Sequence, residues 1–316
     1  MPALVNGKRD LEGKSVSVVK GIVWPSSVQS EAQLEGLRKL PCRSDDIFVA
    51  TYPKCGTHWV HKLCNLIVER DSHMLPAEFN RWDLNNNWHL QGPKEGNTPI
   101  ELRHEDMPSP RVVSLHTPAD MLPADAERLK CPVVCVVRDP KDTLVSYYHF
   151  SNKVPILEKY DSLEDFAEIF LAGASGDRQE ALDAGCPYGG YANYVLGFVE
   201  AAREGRLNVH FVSYEQLLAQ PAEGILALAK FLGKDLTPEQ ATTIAEAASF
   251  NSMKQEAAEK DKKTGGAWSN ILYRSGTAGD GSSSLDPNTA TKVDEAFSQS
   301  FQGLEHLFAF LEKKSD

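Results

Sequence analysis

IFVATYPKCGTHW, residues 47–59, decides the fold. Ile47 to Thr51 form a β-branched apolar run behind two aspartates, the pattern of a strand buried on both faces of a parallel sheet. Tyr52 to Thr57 follow as a turn, and Val60, Leu63, Cys64, Ile67 and Val68 then recur at helical spacing. The stretch reads as strand, loop, helix. A helix start offers unpaired backbone N–H groups and a positive dipole end, Gly56 permits close backbone approach, and Lys54 and Thr57 add an ammonium and a hydroxyl. Together they make a phosphate cradle, although Pro, Lys and Gly also serve as plain turn chemistry in such a connection.

The same grammar recurs along the chain. Arg111 to His116 and Cys131 to Val137 read as strands, RDPKDTLVSYYHF (138–150) leads into a helix, and LNVHFVS (207–213) is a further strand. Helical segments follow at about 222–232, 237–247 and 288–312, whereas the Gly-, Ser- and Lys-rich stretch from about 255 to 288 reads as a long surface loop. Strands alternating with helices predict a single-domain three-layer α/β/α fold around a central parallel sheet. Residues 1–40 are expected to form an N-terminal arm and 41–316 the domain. Ligands of such sheets bind outside the carboxyl ends of the strands. Arg138 lies at that edge with Lys54, and Ser146, eight residues on, faces the same way two turns later. Two anion-binding loops on one edge predict a ligand with two phosphate positions; the alternative is a surface ion pair of Arg138 with Asp139 or Asp142.

Composition narrows the function. The chain has 316 residues, with 33 Lys+Arg against 44 Asp+Glu, a net charge of −11. That balance disfavours nucleic acid as a partner. Hydrophobic residues at 41% and charged residues at 24% predict a globular chain. No run reaches the ~18 apolar residues of a membrane span, and MPALVNGKRDLEGKS lacks a signal's apolar region, so we expect an unprocessed cytoplasmic protein with no membrane partner. Cys42, Cys55, Cys64, Cys131, Cys135 and Cys186 are then reduced thiols.

TYPKCGTHW resembles the 5′-phosphosulfate-binding loop of cytosolic sulfotransferases, usually TYPKSGTxW. VVRDPKDTLVSYYHF resembles their 3′-phosphate segment, and RSGTAGDG (274–281) resembles their RKGxxGDW. The resemblance covers about residues 40–305, with the three motifs in family order. It implies an enzyme that moves a sulfuryl group from 3′-phosphoadenosine 5′-phosphosulfate (PAPS) to a hydroxyl or amine of a small-molecule acceptor, releasing 3′-phosphoadenosine 5′-phosphate (PAP) without a metal. Lys54, Gly56 and Thr57, with the Cys55 backbone and neighbouring His58, would hold the phosphosulfate through a P-loop-like cradle. Arg138, Ser146, Arg274, Ser275 and Gly276 would hold the 3′-phosphate. Trp59 and Phe250 would sandwich the adenine, with Tyr214 at its edge. His116, matching the histidine of the family's KTHLP segment, would be the general base, and His116, Lys54 and Ser146 form the expected catalytic set. Trp82 and Trp88 are candidates to close over the acceptor.

Ser114 stands where the family often has Lys, Ser275 replaces Lys, and Gly281 replaces Trp. The family's KxxxTVxxxE dimer segment is not readable in SSSLDPNTATKVDE, which leaves monomer and homodimer both open. A P-loop kinase would need GxxxxGK[ST], and Gly13-Lys14-Ser15 has Lys8 where the first glycine belongs. A catalytically silent nucleotide binder is the other alternative. Cys55, His58, His61 and Cys64 repeat every third residue, but on a helix such groups spread over about half the circumference and cannot share one tetrahedral zinc.

Overall fold

The computed structural model describes residues 4, 8–25, 31–69 and 109–308. β1 (Val16–Val19) and β2 (Ile22–Pro25) form an antiparallel ribbon, followed by α1 (Glu31–Arg38). Then come β3 (Ile47–Thr51), α2 (Thr57–Glu69), β4 (Val112–Leu115), α3 (Ala124–Leu129), β5 (Pro132–Val137) and α4 (Pro140–Lys153). Helices α5 (Leu163–Ala172), α6 (Arg178–Asp183) and α7 (Tyr191–Arg203) precede β6 (Asn208–Ser213). The remainder is helical: α8 (Tyr214–Ala219), α9 (Pro221–Phe231), α10 (Pro238–Ala247), α11 (Phe250–Thr264), α12 (Trp268–Leu272), α13 (Asp280–Ser284) and α14 (Pro287–Ser300).

The sheet runs β4-β3-β5-β6, every neighbour parallel. Period-2 alternation splits its side chains into two cores. Phe48, Ala50, Val113, Leu115, Val133 and Cys135 join Leu144, Tyr191, Phe198, Phe297 and Phe301 on one face. On the other, Ile47, Val49, Val112, Val134 and Val136 meet Val60, Leu63, Cys64 and Ile67 of α2 and Ile225, Leu228 and Ile244. Burying each such side chain contributes about 1.5–3 kcal/mol, so continuous apolar strands are what a doubly covered sheet requires. The expected α/β/α layering around a parallel sheet is therefore observed.

Two segments differ from the sequence expectation. The stretch read as a loop from 255 to 288 instead holds most of α11, all of α12 and all of α13. Its charged α11 buries chiefly Met253, so it shows no apolar period to read. Gly265, at φ 69°, ends α11 in the left-handed conformation, and the Asp261 carboxylate accepts the N–H groups of Trp268 (2.9 Å) and Ser269 (2.7 Å) to start α12. The last helix stops at Ser300 rather than 312, giving way to a short 3-10 turn at Glu305–Leu307. The helix expected from 138–150 is observed, and its start is capped: Asp139 accepts from Lys141 N at 2.7 Å with Pro140 in the first turn of α4.

Candidate active site

Every strand of the sheet delivers one residue to the same place. β3 runs through Tyr52-Pro53 to Lys54, while β4, β5 and β6 are followed directly by His116, Arg138 and Tyr214. Because the first of these strands lies between the second and third, a crevice opens at their carboxyl ends. A cavity of about 520 Å³ occupies it, lined by all four residues. His58, Trp59, Gly56, Thr57, Ser146, Phe250, Arg274, Ser275 and Gly276 also line it. Of the motif residues expected to hold the donor only Cys55 does not: its thiol packs against Thr143 Oγ1 at 3.6 Å, and burial pushes its pKa up to about 12. Its backbone alone remains for ligand contact. Trp82 and Trp88 fall outside the described residues.

The loop geometry follows from its residues. Lys54 (φ 75°) and Gly56 (φ 103°) both turn through the left-handed region, and a Cβ on Gly56 would lie 2.8 Å from Tyr214 Cδ2. The Lys54 carbonyl accepts from Arg138 Nη1 at 2.9 Å, and its ammonium sits 4.3 Å from the Phe150 ring centroid. Beneath the loop, the Thr51 and Thr57 hydroxyls meet at 2.6 Å. Thr51 also lies 3.1 Å from His116 Nδ1, which donates to the Thr51 carbonyl at 2.7 Å. That bond fixes the tautomer: Nε2 carries the lone pair. Cys55, His58, His61 and Cys64 diverge, toward Thr143, the cavity, the Val112 carbonyl and the core respectively.

Arg138 is held from several sides. Its Cζ lies 4.4 Å over the Tyr214 ring, and Nη2 is 3.6 Å from Asp142, so the ion pair anticipated at the surface is buried. Its Nε is buried without a hydrogen-bond partner among the described residues. Asp142 does more than balance this charge, since its two oxygens accept Gly281 N at 2.7 Å and Gly279 N at 2.8 Å. It thereby clamps the third motif onto the second. A Cβ at position 281 would fall 2.4 Å from the Lys141 carbonyl carbon, which explains why Gly stands where the family pattern has Trp. Asp142→Ala leaves two N–H groups without their acceptor at about 1–3 kcal/mol each. Urea unfolding should show at least about 2 kcal/mol of lost stability, and a loss below about 0.5 kcal/mol, the range of ordinary surface substitutions, would contradict the clamp.

The cavity's far wall escaped the motif reading. Ser146, His149, Phe150 and Lys153 line it at helical spacing on α4, with Tyr147, Val154, Ile156, Leu157 and Tyr188 beside them. Ser146 was expected here, and continuing the i+3, i+4, i+7 series from it reaches His149, Phe150 and Lys153. Tyr188 had no comparable signal; its ring reaches 5.8 Å from that of His116 across the sequence.

Electrostatics set the site apart from the acidic chain. The described lining residues include Lys54, Arg138, Lys153 and Arg274 and no carboxylate. Burial, then Arg138, Arg274 and Lys153, push Lys54 down to about 7. Burial, partly offset by the Thr51 carbonyl and aided by Lys54, lowers His116 to about 4, so it is neutral at physiological pH. Lys54, Arg138 and Arg274, with an Arg138 Nε that has no hydrogen-bond partner among the described residues, fit a bound polyanion. The aromatic rings of Trp59 and Phe250 add flat apolar surface at the same cavity.

The sulfotransferase domain family matches residues 44–305. Sulfotransferase 6B1 of Mus musculus is 29% identical over 304 residues, covering 95% of this chain and 91% of the relative. The amine sulfotransferase of Oryctolagus cuniculus is 33% identical over 235 residues, covering 74% and 71%. The crystal structure of mouse sulfotransferase SULT7A1 complexed with PAP superposes with a TM-score of 0.74 at 25% identity, covering 94% of this chain and 98% of that one.

Proposed function

We propose, from the premise that this chain belongs to the sulfotransferase family and is a PAPS-dependent sulfotransferase, that it sulfates a hydroxyl or amine of a small-molecule acceptor with His116 as general base. The carrying observation is the polycationic cavity at the four strand ends, in which Arg138 Nε lacks a hydrogen-bond partner among the described residues. Lys54, the Thr57 hydroxyl and the backbone N–H groups from Cys55 to His58 would hold the 5′-phosphosulfate. Arg138, Ser146, Arg274, Ser275 and Gly276 would hold the 3′-phosphate, with Trp59 and Phe250 against the adenine and Tyr214 at its edge. When bound, the donor supplies an electrophilic sulfuryl group on a phosphate leaving group. His116 Nε2 takes the acceptor's proton as its oxygen or nitrogen bonds to sulfur, and Lys54 meets the charge growing on the departing bridging oxygen. Cytoplasmic residence is part of the same reading, in keeping with reduced cysteines.

Calorimetry tests it. PAP should bind at least about 100-fold more tightly than ATP, because ATP leaves the Arg138 and Ser146 subsite unfilled and the buried Arg138 Nε–H without an acceptor. Equal affinities would remove the assignment, as would the lack of turnover with labelled donor across phenols, alcohols and amines.

Gly276 offers a finer check. At φ 69° it approaches Phe250 so closely that an added Cβ would lie 2.2 Å from Cδ2. Gly276→Ala must move the ring and strain the backbone, at about 1–3 kcal/mol. PAP affinity should fall roughly tenfold or more, and the melting temperature should drop by a few degrees, about what 1–3 kcal/mol of native-state strain costs.

A further inference from the structure

We propose that Lys153 selects apolar hydroxy acceptors bearing a carboxylate or similar anion and disfavours protonated amines; this rests on the sulfuryl-transfer reading above. Along the cavity face of α4, Lys153 lies seven residues beyond Ser146, about 10 Å of helix rise away from the proposed 3′-phosphate end. Around it the lining turns apolar, with Phe150, Val154, Ile156 and Leu157. This apolar end adjoins the reacting groups: Phe150 touches the Lys54 ammonium, and Tyr188 faces the His116 ring.

Lys153 has no ion-pair partner among the described residues. The nearby Glu158 carboxylate is engaged by Arg9 at 3.0 Å, Lys14 at 3.8 Å and the Ser15 N–H at 2.9 Å, and it does not line the cavity. The donor's two anionic groups account for Lys54, Arg138 and Arg274, leaving Lys153 as the cation at the apolar end. It is near enough to depress Lys54, so an anion on the acceptor would sit within reach of the reacting end. A protonated amine would meet these cations with no carboxylate among the described lining residues to balance it, and it would also have to lose a proton before attack.

Three phenols with a common reacting group form the test: 3-(4-hydroxyphenyl)propionate, its methyl ester and tyramine. In the wild type, kcat/KM for the carboxylate should exceed that for the ester by about three- to tenfold, with tyramine last. Lys153→Met should bring the carboxylate down to the ester, cutting its kcat/KM several-fold more than it changes PAP affinity or ester turnover, and Lys153→Glu should favour tyramine over the carboxylate. The same ranking is to be read calorimetrically as affinity for the PAP complex, so the trio reports even without turnover. Equal wild-type values, or a Lys153→Met variant that weakens PAP and slows all three acceptors alike, would overturn the proposal. Loss of PAP binding in the wild type would instead overturn the donor assignment beneath it.

Discussion

His116→Ala is expected to slow sulfation of an alkyl alcohol by about 10²–10⁴-fold while PAP affinity stays near wild type. The size follows from what the imidazole does at the end of β4. Its Nδ1–H is held by the Thr51 carbonyl at 2.7 Å, so Nε2 is the lone-pair nitrogen, and burial keeps the ring neutral with a pKa lowered to about 4. An anionic donor in the cavity favours the imidazolium and raises that value. The rate should therefore be lost as pH falls through an acid limb lying above about 4, where protonation removes the lone pair, and the alanine variant should lack this limb. A nitrophenol, which gives up its proton readily, should suffer less from the substitution than an alkyl alcohol does. Full turnover of the alcohol by the variant would reject the base role and leave the family membership untouched.

The layering was legible because continuous apolar runs such as Ile47–Thr51 and Pro132–Val137 have few alternatives to a doubly covered parallel strand. The glycine, proline and aspartate punctuation of residues 52–57 and 138–142 marked where those strands hand over to helices. What escaped had a physical reason in each case. Helix α11 is polar nearly all round: its Ser249 cap, the Glu259–Lys262 pair and the pairing of Glu256 with Lys62 of α2 leave no apolar stripe to read. Asp142 reads in sequence as a counter-ion for Arg138, yet its larger task is to accept two N–H groups from residues 279 and 281, a contact over 137 positions that no local pattern encodes. Gly281 reads as a lost aromatic, whereas backbone packing against Lys141 admits no side chain there. Lys153 lies past the end of the second motif; helical spacing from Ser146 puts it on the same face, and the fold shows that this face lines the cavity as far as Lys153.

Lys54→Ala should impair both binding and turnover, unlike the histidine change. The ammonium meets the donor in the ground state and the leaving oxygen in the transition state, so PAP affinity should fall roughly tenfold or more and turnover by about 10²–10³-fold. The backbone of the loop should persist, because Arg138 holds the Lys54 carbonyl rather than its side chain. A pH signature separates this role from simple charge. Without ligand, burial and then Arg138, Arg274 and Lys153 hold Lys54 near 7, against an ordinary value of 10.5. A bound polyanion stabilises the protonated form and lifts the pKa back toward that value, so between about 7 and 10.5 binding takes up a proton and PAP affinity declines as pH rises. Below about 7 the ammonium is already protonated in the free protein and the dependence should flatten. Calorimetry in buffers of different ionisation enthalpy counts the proton: Lys54→Ala should abolish the uptake along with the affinity, whereas Lys54→Arg, permanently charged, should abolish the uptake and keep much of the affinity. If the alanine variant still takes up the proton, the titrating group lies elsewhere among the cavity cations and histidines, and Lys54 is not the group whose charge the donor sets.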